Sequence, residues 1–318
     1  MKRMALCMLA LVLLLSGCSG RQEPESSSLI VGFAQLGSES GWRVGNTEDI
    51  RRAAEEAGVQ LILKNADQKQ ENQIKALRSF ISLQVDVIAF SPIVEDGWDN
   101  VLTEAKQAGI PVLLTDRKIN VEDENLFAGF VGSDFLEEGR DAGRFLLQKM
   151  AGKQDVRIVE IAGTIGSTPA GERADGFREI IAEQPGWQVV HSVSGDFLRS
   201  KGKECMSNIL DEVQDIDVMF SHNDAMTLGA IEAIEQAGLN PGKDIVIITV
   251  DGEQGAIDLL MQGKINCVVE CTPLIGDLIM QLSKKLAAGE AIPRITHSSE
   301  RVFSEYDENL EHLPARGY

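Results

Sequence analysis

Ten short apolar runs recur along the chain, and each one ends at a polar or charged residue. Stretches with helical periodicity separate most of the runs, an alternation typical of parallel β-sheets that are covered by helices. The runs end at Gln35, Asp67, Ser91, Asp116 with Arg117, Asp134, Thr164, Asp196, Asn223 with Asp224, Asp251 and Glu270. Open α/β proteins bind ligands at the carboxyl edges of their parallel strands. The pattern therefore predicts a binding crevice.

The alternation predicts two α/β units in tandem, each a doubly wound parallel-sheet domain. In the first unit the predicted strands are 29–35, 59–64, 85–90 and 110–115, and the predicted helices are 42–57, 72–83 and 97–108. In the second unit the predicted strands are 156–161, 187–193, 217–221, 244–250 and 265–269, and the predicted helices are 171–183, 202–213, 226–237 and 253–263. A crevice between two such domains is the default position of a ligand site.

The beginning of the chain has the pattern of an export signal. A positively charged start precedes an apolar core at residues 4–15, which is too short to span a bilayer as a mature helix. The sequence Leu-Ser-Gly-Cys at 15–18 resembles the lipobox of bacterial lipoproteins, which implies a signal peptide at 1–17 and acylation of Cys18. The polar residues of 18–28 then predict a flexible tether. An ordinary secretory signal with an incidental cysteine is the alternative.

The net charge of the chain is −19. Such an acidic surface argues against nucleic acid as a partner and against peripheral adhesion to anionic lipid, so attachment to a membrane would depend on the anchor alone. About 290 residues remain after the leader, which is enough for two domains of ordinary size. We expect a monomer.

The cysteines and histidines predict neither a disulfide nor a metal site. Cys205, Cys267 and Cys271 remain after the leader. Cys267 and Cys271 fall in one predicted strand and would be about 13 Å apart, beyond the roughly 7 Å limit for a bridge. The four histidines are scattered, with no spacing typical of metal ligands. No cofactor is predicted.

An enzyme is the alternative to a protein that only binds its ligand, because paired carboxylates in a cleft can hydrolyse a glycoside. The segment Gly-Thr-Ile-Gly-Ser-Thr at 163–168 has neither a nucleophile elbow nor a phosphate-binding loop. No set of nucleophile, base and acid stands out elsewhere. We therefore predict that the chain is not an enzyme.

Eight short segments of the chain together resemble the motifs of one protein family. They are Val-Gly-Phe-Ala-Gln (31–35), Gly-Ser-Glu-Ser-Gly-Trp-Arg (37–43), Asp-Gln-Lys-Gln-Glu-Asn-Gln (67–73), Thr-Asp-Arg (115–117), Ser-Gly-Asp-Phe (194–197), Ser-His-Asn-Asp (221–224), Val-Asp-Gly (250–252) and Val-Glu-Cys-Thr-Pro (269–273). They resemble the sugar-binding components of bacterial ABC importers of the ribose- and galactose-binding type, and the second and third segments are most similar to galactofuranose-binding proteins.

The resemblance implies the type I periplasmic binding protein fold, in which the chain crosses between two lobes three times. We expect these crossings near 132–134, 272–273 and 296–301. The first lobe would then comprise 29–132 with 273–298, and the second lobe 133–272 with 299–318. Closure about this hinge would trap the ligand.

The resemblance also implies a set of sugar contacts. In the first lobe, Asp116 and Arg117 would bind ring hydroxyls. The contacts implied for the second lobe are Arg173, Phe197, Asn223, Asp251 and Glu270. The loop after the first strand would add Glu39, Trp42 and Arg43. Only Trp42 is aromatic there, a departure from the phenylalanine pair of ribose-type proteins that favours the galactofuranose type. Weaker candidates are Gln35, Asp67 and Ser91, followed by Gln68, Gln73, Asp134 and Asp224.

The candidate side chains suit a neutral sugar, since carboxylates, amides and guanidinium groups pair with hydroxyls and aromatic rings cover C–H faces. The set is mixed in charge and slightly acidic, whereas an anionic ligand would require a cationic excess. Structural roles are the alternatives. Asp116 and Asp251 could cap helices, Arg117 and Arg173 could form surface ion pairs, and the aromatic side chains could belong to the core.

Together these features predict a lipid-anchored extracytoplasmic protein that captures a neutral monosaccharide, galactofuranose- or galactose-like. It would deliver the sugar to an ABC permease and its ATPase. A sugar-sensing input for a membrane sensor kinase or chemoreceptor is the alternative, and a cytoplasmic sugar-responsive regulator is disfavoured by the export signal.

Overall fold

The computed structural model describes residues 28–318, so the predicted signal peptide and the Cys18 anchor lie outside the described residues. The elements are β1 (Ile30–Gln35), α1 (Gly41–Glu56), β2 (Gln60–Asn65), α2 (Gln70–Leu83), β3 (Val87–Phe90), α3 (Asp99–Gln107), β4 (Val112–Thr115), β5 (Gly129–Gly132), α4 (Phe135–Lys149), β6 (Val156–Ala162), α5 (Thr168–Ile181), β7 (Trp187–Ser194), α6 (Arg199–Glu212), β8 (Val218–Ser221), α7 (Asp224–Gln236), β9 (Val246–Asp251), α8 (Gln254–Met261), β10 (Cys267–Glu270), α9 (Gly276–Ala287), β11 (Ile295–His297) and β12 (Val302–Ser304). Within this part of the chain, no helix is both long enough and apolar enough to cross a membrane.

The strands form two six-stranded sheets. The first sheet has the order β11-β5-β4-β3-β1-β2 and is parallel throughout. The second has the order β12-β10-β9-β8-β6-β7 and is parallel except at β12, which runs antiparallel to β10. The predicted fold class, α/β with two doubly wound parallel sheets, is confirmed.

The side chains of each strand alternate between two cores. In β3, Val87 and Ala89 pack with α1 and α9, whereas Ile88 and Phe90 pack with α2 and α3 on the other face. This alternation is the period of two that a strand imposes on its side chains. Because helices cover both faces of the sheet, polar side chains can gather only at the ends of the strands.

Four elements were not predicted from the pattern: α4, α9, β11 and β12. Strand β5 is the apolar run that ends at Asp134. The edge strands β11 and β12 have three residues each, too few to show a period. Helix α4 did leave a signal, because Asp134 precedes it and its side chain accepts a hydrogen bond from the backbone N–H of Glu137.

The chain passes between the two sheets after β5, after β10 and between β11 and β12. We call the first sheet with α1, α2, α3 and α9 the first lobe, and the second sheet with α4 to α8 the second lobe. The Glu300 carboxylate joins the three passages, since its Oε1 accepts hydrogen bonds from Ser133 Oγ and from Thr272 N at 3.0 Å. The residue boundaries of the two domains stay a prediction. The assignment of the strands to two sheets supports it.

A buried carboxylate lies within the second sheet, on the strand next to the edge strand β7. Glu160 in β6 accepts a hydrogen bond at 2.7 Å from each terminal nitrogen of Arg178, and its Oε1 is 3.2 Å from His222 Nε2. Burial works against the charged form, but the hydrogen bonds from His222, Arg178 and Ser192 outweigh it and hold the pKa of Glu160 below its ordinary value.

We expect Glu160→Gln to weaken the acid sensitivity of folding. A depressed pKa in the folded state contributes stability above the ordinary pKa of glutamate, and this contribution is lost as the pH falls below about 4.5. The unfolding free energy of the variant should therefore fall less steeply there, by at most about 1.4 kcal/mol per pH unit. Denaturant titrations across this range measure the slope. Glu183→Gln at an exposed position is the matched control, and equal slopes for all three proteins would contradict the assignment.

Candidate functional site

A cavity lies between the lobes, at the carboxyl ends of strands from both sheets. Its lining residues are Glu39, Ser40, Trp42, Arg43, Asp116, Arg117, Phe135, Pro169, Arg173, Phe197, Asn223, Asp251 and Cys271. The space among these side chains is no more than about 310 Å³. This upper bound leaves room only for a small molecule. We call it the inner cavity.

Three buried charges of the first lobe form a chain along one wall. Arg43 Nη2 donates to Asp116 Oδ2 at 2.7 Å, and Arg43 Nε donates to Glu39 Oε1 at 3.0 Å. Arg43 is only 3% exposed. Burial alone would lower the pKa of Arg43, but the two carboxylates raise it above its ordinary value, so this side chain stays charged.

A second arginine of the first lobe approaches the opposite lobe. Arg117 is 4% exposed, and its Nη1 donates to the carbonyl oxygen of Ile93 at 3.0 Å. Its guanidinium carbon lies 5.2 Å from the ring centroid of Phe197, within the range of a cation–π contact. Burial and the positive charge of Arg43 lower the pKa of Arg117 to about 10, so the side chain is still cationic at neutral pH.

The second lobe provides a third buried arginine. Arg173 Nε donates to Glu138 Oε2 at 2.6 Å, and Nη1 donates to the carbonyl oxygen of His222 at 2.5 Å. Helices α4 and α5 approach closely because Gly139 has no side chain. A Cβ there would lie 2.2 Å from the carbonyl oxygen of Arg173. The close approach of the helices is what brings Glu138 to the guanidinium group.

Three residues of the cavity have left-handed backbone conformations. The φ angles are 62° at Asp116, 62° at Phe197 and 124° at Asp251. Non-glycine residues reach this region at a cost of about 1–3 kcal/mol, and such conformations cluster at functional sites. Asp251 Oδ1 lies 3.9 Å from Arg173 Nη2. Burial raises the pKa of the Asp251 carboxyl group well above its ordinary value, although the charge of Arg173 opposes this shift.

Aromatic side chains form the apolar part of the cavity. Trp42 extends from α1 into the core of the second lobe, and its Nε1 donates to the carbonyl oxygen of Cys271 at 2.6 Å. Phe197 packs against Gly163, where an added Cβ would lie 1.9 Å from the ring. Gly163 is therefore required for the position of Phe197. These rings offer faces on which a sugar can stack.

Three buried polar atoms of the cavity have no hydrogen-bond partner among the described residues. They are Glu39 Oε2, Arg43 Nη1 and Arg117 Nε. A buried donor or acceptor without a partner costs about 1–3 kcal/mol, and native proteins have few of them. The cavity therefore presents two donors and one acceptor to an incoming ligand.

Nine of the predicted site residues come together in this cavity. They are Glu39, Trp42, Arg43, Asp116, Arg117, Arg173, Phe197, Asn223 and Asp251. The prediction missed Ser40, Phe135, Pro169 and Cys271, which also line it. Ser40 could have been found because it is the N-cap of α1 and follows the first strand closely, whereas nothing in the sequence marks Pro169 as a wall of the site.

Two predicted site residues point into the structure of the first lobe instead. Gln35 Nε2 donates to Asn46 Oδ1 at 3.0 Å, so this amide joins β1 to α1. The hydroxyl groups of Ser91 and Thr115 are 2.9 Å apart and join β3 to β4. Both side chains are fully buried beneath the cavity rather than along it, which corrects their expected position.

Asp67 and Glu270 also lie away from the inner cavity. Asp67 is exposed, with a left-handed φ of 51° that suits an aspartate in a turn. The Glu270 carboxylate accepts a hydrogen bond from Arg316 Nη2. Arg316 is far from Glu270 in the sequence, so the strand-end pattern gave no sign that this carboxylate was already paired.

Among the weaker candidates, Gln73, Asp134 and Asp224 have structural partners. Gln73 Nε2 donates to the carbonyl oxygen of Ser91 at 2.6 Å. Asp134 caps α4, and Asp224 accepts hydrogen bonds from the backbone N–H groups of Gly252 and Glu253. Gln68 is exposed and lies in a neighbouring cavity.

The alternative structural roles, helix caps, surface ion pairs and core packing, apply to only some of the predicted site residues. Neither Asp116 nor Asp251 caps a described helix, since the N-cap of the 3-10 helix Glu124–Leu126 that follows Asp116 is Asp123 and the N-cap of α8 is Glu253. Asn223 does cap α7, because its Oδ1 accepts from Met226 N at 3.0 Å. The two arginines proposed as surface ion pairs are buried, and Phe197 belongs both to the core and to the cavity wall.

One group of possible metal ligands occurs within residues 28–318. The ligand atoms of Glu138, Cys271 and Glu300 lie within 4.8 Å of one another. Glu138 is already paired with Arg173, and Glu300 holds Ser133. A cation there would meet a guanidinium charge, so we assign no metal to this group.

Comparisons with known proteins identify related sequences and structures. A family model described as a periplasmic binding protein domain matches residues 31–291. The chain is 40% identical to the galactofuranose-binding protein YtfQ of Escherichia coli over 92% of this chain and 94% of the relative.

Solved structures with similar folds contain furanose sugars. A Mycobacterium smegmatis protein in complex with β-D-fucofuranose is 49% identical, with a TM-score of 0.86 over 87% of this chain and 92% of that one. The binding component of an arabinose ABC transporter from Shewanella sp. ANA-3, bound to α- and β-L-arabinofuranose, is 43% identical, with a TM-score of 0.85 over 89% and 93% of the chains. These relatives are sugar-binding proteins and not enzymes, which confirms the prediction of a binding protein rather than an enzyme.

Proposed function

This chain belongs to the family of periplasmic binding proteins, and on that premise we propose that it captures a neutral furanose sugar of galactofuranose type. The family implies a location outside the cytoplasm. The ligand class is supported by the relatives, which bind galactofuranose, fucofuranose and arabinofuranose. The ligand would lie in the inner cavity.

The observation that carries the proposal is the set of three buried polar atoms without partners, beside two aromatic faces. A sugar hydroxyl both donates and accepts, so one ring can satisfy the Glu39 acceptor and the donors of Arg43 and Arg117 together. The three arginines of the cavity face the carboxylates of Glu39, Asp116 and Asp251. Each guanidinium group already has a carboxylate beside it: Glu39 and Asp116 for Arg43, Asp116 for Arg117 and Glu138 for Arg173. A neutral ligand is therefore favoured over an anion.

We further propose that binding closes the two lobes about the hinge at Glu300. Contacts across the cleft support this mechanism. The ammonium group of Lys118 in the first lobe lies 2.8 Å from the Glu172 carboxylate in the second, and Glu95 N donates to the carbonyl oxygen of Gly166 at 2.9 Å. Such contacts form only when the lobes are together, so a ligand that bridges the lobes would favour that state.

In the cell, the closed protein would deliver its sugar to an ABC permease and the associated ATPase. We propose that acylated Cys18 holds the protein at the membrane and that residues 19–28 act as the tether. Two or more acyl chains give a stable anchor, whereas a single chain is marginal. The protein would act as a monomer.

Loss of a charged contact should remove sugar binding without unfolding the protein. We expect Arg117→Met and Asp251→Asn each to weaken the binding of a methyl galactofuranoside by about 10- to 100-fold, the effect of losing a hydrogen bond to a charged group. Isothermal titration calorimetry gives the affinity, and thermal melting checks the fold. Arg199→Met, at an exposed position of α6, is the matched control. Full affinity in both variants would show that the site is misassigned.

Sugar binding should compact the protein. We expect the radius of gyration from small-angle X-ray scattering to fall on saturation with the furanoside. Glu172→Gln should reduce the affinity by no more than about fivefold, because a partly exposed ion pair contributes about 0–1 kcal/mol. Glu179→Gln in the same helix is the control, since its partner Arg140 belongs to the same lobe. An unchanged radius of gyration at saturation would refute closure.

Membrane attachment should depend on Cys18. The full-length protein, expressed in a bacterium with a lipoprotein pathway, should incorporate a labelled fatty acid and sediment with the membranes. We expect Cys18→Ser to lose the label and to leave the membrane fraction, because no other covalent anchor is proposed. An unlabelled wild-type protein would contradict the anchor.

A further inference from the structure

A second cavity adjoins the inner cavity, and the two share Glu39 and Arg117 in their walls. Its other lining residues are Leu36, Gln68 and Ile93 from the first lobe, and Thr164 and Asp196 from the second. The space among them is no more than about 520 Å³. We call it the outer cavity.

We propose that the outer cavity holds a second sugar residue, linked to the furanose ring that occupies the inner cavity. The ligand class of this protein would then include furanosyl disaccharides as well as simple furanosides. This inference rests on the proposed function, because the first ring is placed by the residues of the inner cavity.

The two side chains shared by the cavities each carry a polar atom that a ligand could pair with. The side chains of Glu39 and Arg117 are almost fully buried, yet Glu39 Oε2 and Arg117 Nε have no hydrogen-bond partner among the described residues, and Arg117 Nε only lies 3.8 Å from Asp116 Oδ2. One atom is an acceptor and the other is a donor. A first ring that pairs with both atoms lies at the boundary of the two cavities, so a second sugar residue linked to it would extend into the outer cavity.

The chemistry of the outer cavity selects an uncharged, hydroxylated group. Gln68 and Thr164 offer neutral donors and acceptors, while Leu36 and Ile93 offer a small apolar surface that suits a C–H face. Asp196 is held by Lys201 and by Ser194 Oγ. The wall carries two carboxylates and one guanidinium group, so an anionic substituent such as a phosphate would be repelled.

The outer cavity also depends on closure. Thr164 and Asp196 belong to the second lobe, and the remaining lining residues belong to the first. A second sugar residue there would contact both lobes and therefore favour the closed state in the same direction as the first ring.

The test compares two ligands on the full mature protein by isothermal titration calorimetry: methyl β-galactofuranoside and a β-galactofuranosyl disaccharide. The wild type is expected to bind both. Thr164→Trp fills the outer cavity alone, so it should weaken the disaccharide at least tenfold and the methyl furanoside less than twofold. Ile165→Trp is the matched control, because Ile165 follows Thr164 in the chain, is 80% exposed and lines neither cavity. It should change neither affinity.

Gln68→Ala provides a second variant on the opposite wall and should weaken the disaccharide alone, by about threefold to tenfold, the effect of losing a neutral hydrogen bond. The inference is overturned if the wild type binds the methyl furanoside but not the disaccharide, or if Thr164→Trp weakens both ligands equally. If the wild type binds neither ligand, the proposed function itself fails, and this inference fails with it.

Discussion

The relative position of the two lobes depends on one carboxylate, because Glu300 joins the three passages of the chain between the sheets. Its hydrogen bonds to Ser133 and to the backbone of Thr272 link residues that are more than a hundred positions apart in the chain. Each lobe has its own sheet and its own two cores, except that Trp42 of the first lobe packs into a core of the second. In the closure that we propose, rotation at these passages would withdraw Trp42 from that core and leave the rest of the packing inside each lobe unchanged. The proposed hinge would therefore combine the polar contact at Glu300 with one apolar contact between the lobes.

The cleft between the lobes contains three buried arginine side chains. Arg43, Arg117 and Arg173 are each less than 5% exposed, and each costs free energy to remove from water. Carboxylates and backbone carbonyl groups offset much of this cost, but not all of it. The donors and the acceptor left without partners, together with left-handed backbone at Asp116 and Asp251, are the features of a site whose stability is completed by its ligand.

Much of the fold followed from local pattern. The nine predicted strands are present because strands and helices have fixed side-chain periods, which can be detected within a short window. The missed elements were the short edge strands and two helices near the crossings, where the pattern is interrupted. Site prediction was weaker at Gln35, Ser91 and Glu270, since a polar residue at a strand end can face the cleft, bind a neighbouring strand or pair with a distant side chain.

Local patterns in the sequence were enough to predict the order of most strands and helices, the two parallel sheets and the polar residues at their carboxyl edges, because each of these depends on residues close together in the chain. Which strand ends share one cavity could be seen only in the folded chain. Arg316 pairs with Glu270, Trp42 enters the opposite lobe, and Gly139 lets Arg173 reach Glu138. These contacts join segments far apart in sequence, and their geometry is set by packing rather than by any local period.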